Sequence, residues 1–490
     1  MIYASTLGFG FAYDDATVVT HHPLVESEAW GAIARSAYHV GTDVRVPTGA
    51  YRPLTIASLA LNHVVSGTNP WSYHLTNVLL HALVSALVVL LAVQLGLSPG
   101  AALAGALAFA VHPVHAEAVA NVAGRAEGLS TVLALSALIA YTRRRLMVFA
   151  ILLGGALLAK ENVVTIIGVV ALWELLRPRP QESASLAARM RAAALPLVAA
   201  AIPIAAYLAA RVAILGGLGL APGSVTSIEN PIVGLAPLPR AATVLSVFGR
   251  AVSLVLTPVR LSPDYGFAEI SPALTFLAPG PILGAVFLLG LAGLLAWTWR
   301  RAPTVAFLTA ASLVTYSIVS NAFVVIGTVL GDRLLYLPSV FVCILFGVAV
   351  SAARARGGRM VAIAGVTIVL FALSIRCATY AAVWRDDATL FTYAARVAPR
   401  SVRALGGFAE ILLERRQPGE ARAVLDEAVS IAPDFAPNRL NRAAANLALG
   451  DLDAAEADAR HVLALDPANA FAKLQLDAVA RRREGAPARD

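Results

Sequence analysis

The chain has 490 residues, of which 58% are hydrophobic and only 14% charged, a balance that excludes a soluble enzyme and a disordered chain alike. Its net charge of +8 would suit a nucleic-acid partner in a soluble protein. Here most of the excess Arg sits in short loops between apolar runs, where it sets membrane orientation, so nucleic acid is rejected as a partner. The only cysteines, Cys343 and Cys377, lie in or at the end of apolar segments and imply no disulfide framework.

Residues 1–11 are apolar but too short to cross a hydrocarbon core of about 30 Å, and they lack the basic start of a signal peptide. They read as the remnant of a first transmembrane helix. Asp14-Asp15 follows, where apolar sequence gives way to a polar loop. A turn or cap would explain the pair locally. The β-branched run Thr17-Val18-Val19 behind it leaves no obvious helix to cap, and an acid kept beside a bilayer must be hydrated, paired or used. Residues 10–72 form a long first loop. Within it, amphipathic stretches at 27–40 and 53–65 suit helices lying on the membrane surface, joined by a turn-rich link at 46–53 that holds Arg52.

The first complete span is 73–95, which opens with His74, Asn77 and His81 on one side. A turn at 96–100 returns the chain through 101–111 to His112-Pro-Val-His115-Ala-Glu117, then Asn121, Gly124, Arg125 and Glu127. Arg143-Arg144-Arg145 marks a cytoplasmic end. Counting back puts Asp14-Asp15, 112–127 and Lys160-Glu161 on the extracytoplasmic face. The Arg-rich stretches 177–191, 300–301 and 354–359 are then cytoplasmic, provided that 198–215 crosses outward, 216–280 stays outside and 241–256 lies at the interface. Spans at 283–299, 305–326, 338–351 and 361–375 complete the bundle, and the loop 331–336 faces outward.

After Trp384 long apolar runs vanish, and Pro399, Pro433 and Pro467 recur at 34-residue intervals, with Ala409/Ala443, Ala421/Ala455 and Leu413/Leu447 in phase. That period, with small residues at helix crossings, is the tetratricopeptide signature. It predicts repeats at 400–433 and 434–467, a half repeat after them, and a preceding helix at 388–397 capped by Asp386-Asp387. The expected fold class is all-α: a polytopic membrane helix bundle over 1–383, then a short tetratricopeptide-repeat (TPR) α-solenoid over 384–490 on the same side as Asp14-Asp15.

His112-x-x-His115-x-Glu117 has a metal-like spacing, but Pro113 prevents a regular helix and no third strong ligand cluster lies nearby, so no metal site is assigned. A polar turn that hydrogen-bonds an acceptor or lipid head group is preferred. Lys160-Glu161 is either a self-paired ion couple or, since Lys160 is the only Lys of the membrane domain, a compact partner for phosphate. Arg125 and Arg333 are of the same kind. Cations converging near one face suggest a bound anion, with snorkelling to the interface as the alternative.

Tyr13-Asp14-Asp15, Tyr51-Arg52-Pro53-Leu54, Trp71-Ser-Tyr-His74 with Asn77 and His81, His112 to Val119 with Gly124-Arg125-Ala126-Glu127, Lys160-Glu161, and Asp332-Arg333-Leu-Leu-Tyr336-Leu-Pro338 stand in order along the chain. Together with the repeat tail, this set resembles the transmembrane and tetratricopeptide-repeat O-mannosyltransferases over essentially the whole length. The first span is truncated, and the repeat tail is shorter than in the animal relatives.

The resemblance implies a membrane-embedded glycosyltransferase of the GT-C class that uses a polyprenyl-phosphate-linked sugar, mannose or another hexose. Its active site would be extracytoplasmic, with a catalytic acid in the first large loop. Asp14 or Asp15 would take the proton of a Ser or Thr hydroxyl, and single displacement would invert the anomeric centre. Arg125, Lys160 and Arg333, with Arg52 behind them, would hold the leaving phosphate. His112, His115 and Glu117 would surround acceptor or sugar, with Glu127, Glu161, Asp332, Tyr336 and His74 completing the substrate site. The repeats would hold the acceptor polypeptide. No cofactor is assigned, and a divalent metal is left open. The Ala- and Arg-rich composition points to a GC-rich bacterium, hence to the inner membrane. The competing readings are an enzyme of the same class acting on an envelope glycan or lipid, and a non-enzymatic membrane scaffold. A transporter is disfavoured, because no paired broken helices occur in two halves.

Overall fold

The computed structural model describes residues 2–42, 49–176, 186–219 and 225–485, with helices throughout and no strand among those residues. Part of the link at 46–53, most of the Arg-rich stretch 177–191, residues 220–224 of the expected outer segment and the end of the tail lie outside the described residues. The chain forms two units. One comprises Met1–Thr226, Ile232–Leu261 and Pro272–Asp386; the other comprises Ser227–Pro231, Ser262–Ser271 and Asp387–Asp490.

In the first unit, seven helices among the described residues are long and apolar enough to cross a membrane: Trp71–Gln94, Val122–Thr142, Arg191–Leu215, Pro237–Leu256, Pro279–Arg301, Asp332–Gly357 and Arg359–Arg385. Pro99–Ala110 and Pro113–Ala120 form a pair bent by 50°, an eighth span if taken together. The bend falls at His112-Pro113, where proline removes a helix N–H. Leu146–Ala159 stops because Lys160 is extended (φ −159°, ψ 134°), and the helix resumes as Ile166–Leu176. Bare backbone lets two pairs of helices close up. A Cβ on Gly347 would lie 2.2 Å from Ala101 O, and one on Gly284 would lie 1.9 Å from Leu245 O.

Three elements depart from expectation. The stretch 305–326 is helical only over Pro303–Ser317. Asn321 sits at φ 60°, donates from Nδ2 to Thr328 O and Val329 O (3.1 Å each) and accepts from Ile326 N–H (3.0 Å), so a buried amide replaces the helical ladder. Residues 27–40 do not form one amphipathic helix. Only Trp30–Ile33 is helical there, after Glu28 turns the chain at φ 53°. The loop instead buries Val18, Val19, Val25, Ile33 and Tyr38 against Ile56, Leu59 and Tyr73. Its second stretch is a helix, Pro53–Ser66, with Leu61, Val64 and Val65 left exposed. The helix at 241–256 is longer than expected, Pro237–Leu256. Its flanks meet, however: Phe267 N–H donates to Ile228 O (3.1 Å), so the chain returns to where it left.

Charged and polar side chains gather at both ends of the bundle. Tyr141 Oη donates to Glu174 Oε1 (2.5 Å), and Arg144 pairs with Glu174 at 2.9 Å. Thr142 bonds Gln94 at the same end. Arg125 starts the helix that ends at Thr142, which puts it about 27 Å away.

The second unit contains the helices Asp387–Val397, Val402–Glu414, Pro418–Ile431, Ala436–Leu449, Leu452–Leu465 and Ala470–Arg483. The middle four pair up within 400–433 and 434–467, a TPR-like arrangement. Ala409, Ala421, Ala443 and Ala455 are all fully buried where helices cross. Ser401, Asp451 and Asn469 accept from the N–H three residues on (3.2, 3.2 and 3.1 Å) and start three of the helices. Asp264, from a loop far earlier in the chain, accepts from Ser401 Oγ (2.5 Å).

Candidate functional site

Tyr13 adopts φ 59°, and the turn it makes sends the next two carboxylates in different directions. Asp15 points inward and is fully buried. Its Oδ2 accepts from Ala12 N–H (3.1 Å) and its Oδ1 from Ala123 N–H (2.7 Å), which stitches the first loop to the turn ahead of the Arg125 helix. Burial, against these N–H donors, pushes the Asp15 carboxyl from 3.8 up to about 7, with Asp14 adding to the rise. Asp14 keeps 41% of its side chain exposed and accepts from Arg333 Nη1 (3.3 Å). Arg333 is held in turn by buried Glu117, through Nη1 (3.0 Å) and through its own backbone N–H (2.8 Å). Residues 14, 117 and 333 thus meet at one point.

Two further ion pairs adjoin it. Arg52 grips Glu161 with two hydrogen bonds (2.9 and 2.6 Å) and lies 5.1 Å from the Tyr38 ring centroid. Burial works against its charge, and Glu161 more than offsets that, so the guanidinium stays charged. Lys160 pairs with buried Glu127, which also accepts from Asn162 Nδ2 (3.5 Å). The fields of Arg52 and Arg333 reach Lys160, so the three pairs form one electrostatic cluster. Each of these cations already has a carboxylate partner.

Other expected site residues are committed to the protein. Arg125 is buried and donates to Asn77 Oδ1 (3.0 Å), Ser58 O (3.0 Å), Tyr73 O (2.8 Å) and Asn62 Oδ1. His115 bonds Phe109 O (2.8 Å) and Ser339 Oγ (2.7 Å); His112 reaches Val255 O (2.9 Å). His74 meets Gly10 O (3.1 Å). Tyr336 meets His81 Nδ1 (2.8 Å), and Asp332 accepts from Tyr380 Oη (2.9 Å). Among the described residues no three His, Cys, Asp or Glu side chains are arranged to hold a metal ion. Sequence reasoning missed Tyr38 and His39. Their one signal was an aromatic–His pair inside a stretch taken for a surface helix.

No family model matches the chain, and no solved structure does. Among curated proteins it is similar to the protein O-mannosyl-transferase Tmtc1 of Drosophila melanogaster, 25% identical across 90% of this chain and 61% of the fly protein. The protein O-mannosyl-transferase F38B6.6 of Caenorhabditis elegans is 25% identical across 88% of this chain and 61% of its own. Human protein O-mannosyl-transferase TMTC1 is 25% identical across 86% and 53%. The chain spans about three fifths of the length of the first two relatives.

Proposed function

We propose that this chain is an integral-membrane glycosyltransferase of the GT-C class that moves mannose, with inversion, from a polyprenyl-phosphate donor to Ser or Thr hydroxyls of extracytoplasmic proteins. The observation that carries this reading is the Asp14–Arg333–Glu117 contact, an accessible carboxylate held against a guanidinium at one end of an apolar bundle. The relatives' names support the reaction class. A bacterial inner membrane, with this end and the repeat unit outside, fits the Arg distribution.

In the proposed step, the acceptor hydroxyl gives its proton to Asp14 as its oxygen bonds to the anomeric carbon. The bond from that carbon to the phosphate oxygen breaks on the opposite face, and lipid phosphate leaves with the electron pair. Arg333 orients Asp14 and offers the phosphate its remaining N–H groups. Arg52 and Lys160 contribute field, each balanced by its own carboxylate. Arg125, His112 and His115 are assigned to the scaffold because their donors and acceptors are already engaged. Asp15 positions Asp14 through the stitch to Ala123. The TPR-like unit is assigned the acceptor polypeptide.

The test is transfer from polyprenyl-phosphate mannose to an acceptor peptide by the full-length protein in detergent. Asp14→Asn is expected to lower the rate by about 10²–10⁴. Wild-type rates in that variant would remove Asp14 as base. Loss of the gene that alters an envelope glycan and leaves protein mannosylation intact would remove the protein acceptor.

A further inference from the structure

The turn that follows Trp30–Ile33 is pinned on both sides of one histidine. Tyr38 N–H donates to Ala50 O (2.9 Å), Tyr38 O lies 2.9 Å from His22 Nε2, and His39 O accepts from Thr42 Oγ1 (3.0 Å). The His39 ring packs edge-on against Tyr38 (4.6 Å between centroids), the same ring that faces Arg52. Its Nδ1 is shut off from solvent and has no hydrogen-bond partner among the described residues. Asp14, Arg52, Arg333 and His22 are all near enough to act on its charge. Burial, with Arg52 next, pushes this imidazole down to about 4, so at neutral pH it carries one N–H and one bare nitrogen. Arg52 and Arg333 can only donate and an ionised Asp14 can only accept, whereas a neutral imidazole matches a hydroxyl. Among the described residues, His22 Nδ1 and Asn162 Oδ1 nearby are also buried without a partner. Of these three, His39 is the one whose ring packs on Tyr38, the ring that faces Arg52. A buried ring nitrogen without a partner there marks a place for one.

We infer that His39 is a ligand contact of this site, its Nδ1 holding a hydroxyl of the donor sugar; the inference rests on the transferase reading above. The measurement is binding of two probes to the full-length protein in detergent: a short-chain polyprenyl-phosphate mannose, and the same polyprenyl phosphate without sugar. His39→Ala is expected to weaken the mannosyl lipid about tenfold and leave the sugar-free lipid unchanged. His39→Asn, whose amide reaches the Nδ1 position, should restore most of the loss. Unchanged binding of the mannosyl lipid by His39→Ala overturns the inference. So does equal weakening of both lipids, or failure of His39→Asn to recover, since either marks a structural role. A wild-type protein that binds neither lipid defeats the donor reading itself.

Discussion

Asp15 and Asp14 are neighbours with opposite environments, and pH separates them. In the unfolded chain Asp15 ionises near 3.8, whereas in the folded protein burial holds it protonated up to about 7. The folded state therefore binds the proton more tightly, and Asp15 contributes stability that is complete below pH 3.8 and lost as the pH rises towards 7. Thermal unfolding across this range should show that decline, and Asp15→Asn should flatten it. Arg125 makes a different prediction. Its guanidinium satisfies acceptors on two elements, Trp71–Gln94 and Pro53–Ser66, so Arg125→Ala should cost about 3 kcal/mol of stability, and Lys, lacking the planar fork, should recover little of it.

At the scale of elements, glycine decides which helices meet. Gly347 has no room for a side chain, so Gly347→Leu should destabilise the bundle by about 3 kcal/mol, read as a lower unfolding temperature. Gly290, with nothing among the described residues near a built Cβ, is the matched site where Leu should be tolerated. Helix breaks were legible where a residue forbids the ladder, as at Pro113, or where charge interrupts an apolar run, as at Lys160. The early end at Ser317 was not. Nothing local stops a helix there, and Asn321 closes the loop only once its amide finds Thr328, Val329 and Ile326. The same holds for 27–40, where Tyr38 takes its partners from Ala50 and His22 instead of its own helix.

At the scale of the molecule, the repeat unit is not one continuous stretch of sequence. Ser227–Pro231 and Ser262–Ser271 belong to it, and Asp264 joins Ser401 at the start of the first full repeat. Asp264→Ala should speed hydrogen exchange in Val402–Glu414 while leaving Leu452–Leu465 unchanged, because repeat units respond chiefly through their neighbours.

Composition and periodicity were enough for the class of this protein: apolar runs of spanning length, Arg at alternate loops and a 34-residue period each report a local, repeating constraint. Tyr38 and His39 aside, the candidate residues were legible too, since charge in an apolar chain is conspicuous wherever it falls. Their roles were not. Asp14 and Asp15 are identical as sequence, and only the left-handed turn at Tyr13 and the donors of Ala12 and Ala123 send one into the core and leave the other beside Arg333. A side chain's partners lie hundreds of residues away, so what is paired, buried or left open is decided by packing in three dimensions.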